Sequence, residues 1–158
     1  AYNDLSMDDF IDNLYVLLEE YVEPVVNNIK NASYYYNLGV STADLGDKNK
    51  AKVYFERSIE LDPDYEYSYV PLILIILNDE IKIDEEMSSL SLSKADTLRY
   101  DILIRQKEDL YKDCIALLEK SNEINPNKTK IDLLIHMYGT LGDNVGYNKA
   151  KKMLANIK

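Results

Sequence analysis

ASYYYNLGVSTADLGDKNKAKVYFERSIELDPDY, residues 32–65 of the chain, reads as two helices and the turn between them. Leu38, Thr42 and Leu45 recur at steps of three and four, one stripe of a first helix. Val53, Phe55, Ile59 and Leu61 supply the apolar face of a second. Gly39, Ala51 and Ser58 are small where two antiparallel helices must approach, and Tyr35 fills the space beside them. Gly46 suits a left-handed residue ending the first helix, and Asp47 suits the cap of the next. Pro63 disfavours helical geometry at Asp62 and so stops the second helix.

Working outward, Tyr-Lys-Asp-Cys-Ile-Ala-Leu-Leu-Glu-Lys-Ser-Asn-Glu-Ile-Asn-Pro at 111–126 echoes the second half of this unit. Cys114 matches Ala51, Leu118 matches Phe55, Ser121 matches Ser58, and Pro126 matches Pro63. Leu141-Gly142-Asp143 repeats Leu45-Gly46-Asp47 at an offset of 96 residues. Six residues at fixed offsets (Tyr35, Leu38, Gly39, Ala51, Phe55 and Pro63) make 32–65 resemble a tetratricopeptide repeat, with Thr42 where an aromatic is usual.

That resemblance implies an all-α fold, a right-handed α-solenoid of about seven to nine antiparallel helices forming one domain over 1–158. A lone repeat cannot bury its apolar face, so further copies are expected. Pro63 and Pro126 are 63 residues apart, five short of two repeats of about 34, which places a shortened repeat at 66–94. A degenerate repeat follows at 95–127, its first helix spaced by Leu98, Ile102 and Leu103. The last repeat and a capping helix occupy 128–158, with an insertion of about three residues around Gly146 before Ala150-x3-Leu154. Tyr69 to Leu77 is apolar all round, the pattern of a helix covered on both faces. It falls far below the roughly 20 residues of a membrane span. Residues 84–92 read as a short second helix or a partly irregular loop. Upstream, Ser6 to Asp9 opens a helix carrying Phe10, Ile11, Leu14, Leu17, Leu18 and Tyr21. Pro24 ends or kinks that helix, so 1–31 holds N-terminal helices, a worn repeat or an unrelated cap.

Composition narrows the function. The 158 residues are 46% hydrophobic, enough for a continuous core. A net charge of −10 argues against nucleic acid, which needs a basic footprint. The charge is uneven: residues 1–30 carry −6 and residues 128–158 carry +4. One cysteine, Cys114, excludes an internal disulfide, and at a small-residue position it reads as a buried, inert thiol. His136 stands alone, so a histidine-rich metal site is impossible. The glycines at 139, 142 and 146 lack the Gly-Lys-Ser/Thr of a phosphate loop. The acidic clusters lack calcium-loop spacing, and Cys114 has no neighbouring base. No catalysis, cofactor or metal is expected. The sequons at Asn31 and Asn127 are expected by chance in so Asn-rich a chain. The chain opens at Ala1 without an initiator Met or apolar leader, and reads as a processed form or a fragment. Both a cytoplasmic and a membrane-anchored, extracytoplasmic location stay open, with membrane contact only through a lost anchor or a partner.

The resemblance further implies a concave groove, lined by the first helix of each repeat, that binds another protein or a peptide segment. Its positions here are Tyr36, Asn37 and Val40, then Tyr67, Val70 and Leu74, then Arg99, Tyr100 and Leu103. Tyr and Arg are the types that anchor interfaces. Chaperone-serving members of this family clamp a carboxylate with Lys, Asn and Arg at five positions. Those positions are Tyr36, Val40, Pro71, Asp96 and Tyr100 here, so no such clamp is implied. Two roles follow: an adaptor or assembly scaffold, or a small acidic chaperone or escort for a secreted or membrane-bound client.

Overall fold

A computed structural model describes residues 31–157, together with Ile11, Asn13 and Val16. The expected helices at 6–21 and 24–30 otherwise lie outside the described residues. Among the described residues from 31 on, six α-helices follow in order: α1 Ala32–Asp44, α2 Lys48–Leu61, α3 Tyr69–Ser89, α4 Lys94–Ile124, α5 Lys128–Leu141 and α6 Asn144–Asn156. A 3-10 turn, Glu66–Ser68, leads into α3. The fold is all-α, with no strand among the described residues.

The helices pair as three antiparallel hairpins, α1/α2, α3/α4 and α5/α6. Local chemistry sets their boundaries. Asn31, Asp47, Ser93, Asn127 and Asp143 each accept a backbone N–H of the first turn that follows. Both sequon asparagines therefore serve as helix caps. Gly46 and Gly142 take φ of +89° and +70°, the left-handed turn that glycine permits without cost.

The first hairpin closes as its small residues require. A Cβ on Gly39 would lie 2.6 Å from the Phe55 ring, and Ala51, Phe55 and Ser58 are buried. Ser58 Oγ donates to the Ala32 carbonyl at 2.7 Å and accepts from Ser68 Oγ at 2.6 Å. This buried chain ties α1 and α2 to the start of the next hairpin. Two expected positions differ. Leu45 is 87% exposed because it caps the helix instead of continuing its stripe, and Val53 and Leu61 point outward from α2.

The third hairpin uses the same fit with the partners exchanged. A Cβ on Gly146 of α6 would meet the Tyr138 ring of α5 at 2.3 Å, whereas in the first hairpin the glycine is on the first helix. The expected insertion near Gly146 is absent. Asp143 caps α6 directly, as Asp47 caps α2.

The middle hairpin departs most from expectation. In place of two short helix pairs over 66–127 there are two long helices, of 21 and 31 residues. Residues 79–89 continue α3, and the turn is only Leu90 to Ser93. Pro63 and Pro126, 63 apart, are thus separated by one repeat of about 34 residues and about 29 added ones. The added residues lengthen α3 at its end and α4 at its start. Lys48 at the start of α2 reaches Asn78 of α3 at 2.8 Å, and His136 of α5 meets the Tyr111 ring of α4. Among the described residues, past those points the two helices flank only one another, an arm extending roughly 16 Å at 1.5 Å per residue. Between Asp79 and Leu110 only Leu103 is buried.

Charge pairs hold the arm together. Arg99 donates from Nε and Nη2 to the two carboxylate oxygens of Glu86, at 2.5 and 2.9 Å. Lys107 bonds both oxygens of Asp84 at 2.8 Å and lies 3.1 Å from Glu80, which also accepts from the Tyr111 hydroxyl. Ser91 and Ser93 bond Asp96 across the turn. Leu98 and Ile102, expected to face inward, are exposed, because roughly 100° per residue turns them away from the face that carries Leu103.

Candidate protein-binding face

Three adjoining hollows lie along one side of the molecule. The first, about 260 Å³, is lined by Val40, Ala43, Asp44 and Phe55 with Pro71, Leu74 and Ile75. The second, about 380 Å³, joins Tyr36, Tyr67, Val70 and Pro71 to Glu66, Asn125, Asn127 and Lys130. The third, about 300 Å³, runs between α3 and α5, with Val70, Ile73, Leu74 and Leu77 facing Thr129, Lys130 and Leu133 over a Leu118 floor. Val70, Pro71, Leu74 and Lys130 are shared between neighbouring hollows, so the surface is continuous from α1 through α3 to α5.

This explains the all-round apolar run at the start of α3. Leu72, Ile73 and Ile76 enter the core, while Val70 and Leu74, 45% and 62% exposed, form the floor of the hollows. Tyr36 is half-buried in an aromatic cluster, its ring centroid 6.0 Å from Phe55, 5.9 Å from Tyr65 and 6.1 Å from Tyr67. Such edge and tilted contacts pre-position flat apolar rings at low entropic cost. Asn37 is exposed on α1 but lines none of these hollows.

Tyr36, Val40, Tyr67, Val70 and Leu74 are therefore brought together. Arg99, Tyr100 and Leu103 are not. They belong to the arm, with Tyr100 beside Met87, Leu90 and Leu92 near its tip. That is roughly 25 Å along α3 from Val70 at 1.5 Å per residue. Leu103 is 1% exposed and holds the arm's two helices together. Arg99 is engaged by Glu86, whose carboxyl is held below its usual range by that guanidinium, and so is not free for an acidic ligand.

The wall supplied by α5 was missed. Its signal lay in the 96-residue offset of the Leu-Gly-Asp turns, which carries Ser33 onto Thr129 and Asn37 onto Leu133. Lys130 adds the face's one shifted cation. Its Nζ donates to the Ser121 and Asn125 carbonyls at 3.1 and 3.0 Å, and burial lowers its pKa, offset in part by Glu66. An ammonium has three donors, so one remains for a ligand oxygen.

Among the described residues no group of three or more His, Cys, Asp and Glu side chains is placed to hold a metal. None of the described helices is long and apolar enough to cross a membrane. Cys114 is fully buried, and that burial pushes its thiol up to about 12. His136 is exposed, edge-on to Tyr111.

The architecture is that of a helical-repeat protein, antiparallel helix pairs stacked side by side. The family model of the tetratricopeptide repeat matches residues 32–65, and this segment is a tetratricopeptide repeat. Such repeats generally mediate protein–protein interaction and are typically non-catalytic. The chain is also similar to an uncharacterized protein, MJ0572, of Methanocaldococcus jannaschii. The two are 53% identical over 38 residues, a region covering 24% of this chain and 44% of that protein.

Proposed function

We propose that the chain is a non-catalytic interaction module that holds a segment of another protein along the α1–α3–α5 face, as an adaptor or assembly scaffold. The observation that carries this reading is the continuity of two apolar hollows through a mixed one around exposed Val70 and Leu74, with Lys130 and Glu66 at the polar side of the middle hollow. A segment presenting two or three apolar side chains, with a carboxylate or backbone carbonyl opposite Lys130, fits that surface. Tyr36, Val40 and Tyr67 form its α1 end, and Asn37 stands at the margin.

Capture of partners from the native cell, followed by measured affinities, tests this reading. Val70→Asp and Leu74→Asp alter exposed side chains and should leave the helical signal intact. Each is expected to weaken capture by about 2 kcal/mol, near thirtyfold in Kd. Unchanged affinity in both variants would remove the face from consideration. The folded state of the captured client separates a scaffold, whose client is native, from an escort, whose client is unfolded.

A further inference from the structure

We propose, resting on the groove reading, that the segment held there is an amphipathic α-helix of another protein with basic edges, which runs on from the α1–α3–α5 face along one side of the arm.

Val70, Leu74, Leu77 and Ile81 follow one another at steps of four, three and four, so they form one stripe along α3. The first three line the hollow between α3 and α5, and Ile81, 58% exposed, carries the stripe past Asn78 onto the arm. There α4 supplies a second apolar face, where Tyr100 and Ile104, both exposed, stand four residues apart. Asp84, three residues after Ile81, bonds Lys107, three residues after Ile104, and this sets the two faces on the same side of the arm. At the tip that side ends in a hollow of about 300 Å³ lined by Met87, Leu90, Leu92, Thr97 and Tyr100. From Val70 to Leu90 the surface is roughly 30 Å long at 1.5 Å per residue.

Two features choose the occupant. The surface is built from helices, with no sheet edge among the described residues to pair an extended backbone. A helix satisfies its own backbone groups and presents side chains at the spacing of the stripe, so it fits along the length of α3. Charge at the rim is the second feature. Glu85 stands four residues after Ile81, Asp101 three before Ile104 and Glu108 four after it, so all three border the stripe. They are exposed and, among the described residues, in no ion pair. Lys107 is engaged by Asp84 and Glu80, and Lys94 and Arg105 stand at neither spacing from Ile104 or Tyr100. Unpaired acids call for basic side chains on the occupant, and with −10 on the whole chain they oppose a second copy. The groove end carries the opposite sign at Lys130, which suits the C-terminal carbonyls of the bound helix and sets it antiparallel to α3.

Fluorescence anisotropy of labelled synthetic peptides titrated with the full chain, at constant salt, is the test. The probe is a helical peptide of roughly 20 residues, with leucines spaced by four, three and four and lysines along both edges. One control carries two central prolines, and another has glutamates in place of the lysines. The lysine helix is expected to bind at least about tenfold more tightly than either control. Ile81→Ser and Ile104→Ser on the arm, and Leu74→Ser in the groove, should each weaken it about tenfold. Glu85→Lys combined with Glu108→Lys should erase the preference for lysine. Weakening by Leu74→Ser alone, with both arm variants binding as the native chain does, overturns the path along the arm and leaves the groove reading in place. No effect from any of the three, or no binding of the probe, removes both. Equal binding of the proline peptide overturns the helix, and equal binding of the glutamate peptide overturns the basic edges. Circular dichroism confirms that the variants remain folded, and the two arm positions test the same contact independently.

Discussion

Replacing Gly39 with leucine is expected to destabilise the protein by about 4 kcal/mol, which at 2–4 °C per kcal/mol is roughly 8–16 °C in Tm. Overpacking a core usually costs about 1–3 kcal/mol. Here the cost is higher because the obstacle is a fully buried ring. A Cβ alone would lie 2.6–2.8 Å from three atoms of Phe55, and Phe55 is confined by Tyr36 and the α3 helix behind it. The leucine cannot be accommodated unless α1 separates from α2, and that in turn strains the Ser58–Ala32 hydrogen bond. Gly139→Ala is the control. The nearest atom to its Cβ is Tyr147 at 3.6 Å, ordinary contact, so removing a helical glycine there should be neutral or stabilise slightly. Thermal denaturation of both variants decides the matter. Equal melting temperatures for Gly39→Leu and the native chain would mean that the α1–α2 approach is wrongly described.

Raising the pH from 9 to 12 is expected to unfold the chain cooperatively. Burial, with Glu80 beside it, pushes the Tyr111 hydroxyl up to about 12, and burial with Glu119 does the same for Tyr138. Burial, aided by Asp113, holds the Cys114 thiol at about 12. Burial also raises Tyr69. In each case the folded state keeps its proton to a higher pH than the unfolded chain, which releases it near 9 for cysteine and 10 for tyrosine. The stabilisation is therefore complete below pH 9 and lost progressively as pH rises toward 12. Two pKa units on each of two buried tyrosines amount to about 2–3 kcal/mol apiece, against the 5–15 kcal/mol of a whole domain. Tyrosinate absorbance should show part of the 14 tyrosines titrating late, together with loss of helix. Tyr138→Phe keeps the ring against Gly146 but has no proton to lose, so its alkaline midpoint should move up. Titration of every tyrosine near pH 10 with helicity unchanged would refute the burial of these groups.

The first hairpin was legible in the sequence because its determinants are local. Gly46 and Asp47 set the turn, Pro63 stops the second helix, and Gly39 meets Phe55 within one supersecondary unit. The third hairpin was half legible. Its Leu141-Gly142-Asp143 turn was plain, but the large and small residues had changed helices, so that Tyr138 and Gly146 concealed the packing that Gly39 and Phe55 displayed. The groove split along the same line. Tyr36 and Val40 lie in the hairpin at 32–65, and Tyr67, Val70 and Leu74 lie just after it, where the offset from that hairpin still holds although the shortened repeat expected at 66–94 does not form. Arg99, Tyr100 and Leu103 were carried over from a repeat that the chain does not form at that place.

What the sequence by itself determined is the all-α class, the helical hairpin at 32–65 with its cap at Asp47, and the apolar run at the start of α3. Only the tertiary structure decided how those pieces are counted. A proline spacing of 63 is equally two repeats with five residues removed or one repeat with about 29 added, and no local rule chooses between them. The choice is made by contacts between residues far apart in the chain: Glu86 with Arg99, Asp84 and Glu80 with Lys107, and Glu80 with Tyr111. These pairs align the end of α3 with the first half of α4, so both helices run on through the segments that resembled repeat boundaries. The same alignment turns Leu98 and Ile102 out to solvent, and the packing of α5 beside the start of α3 supplies the third wall of the groove. Helical periodicity specifies that a residue lies on a face; which neighbour that face meets is settled only when the helices pack.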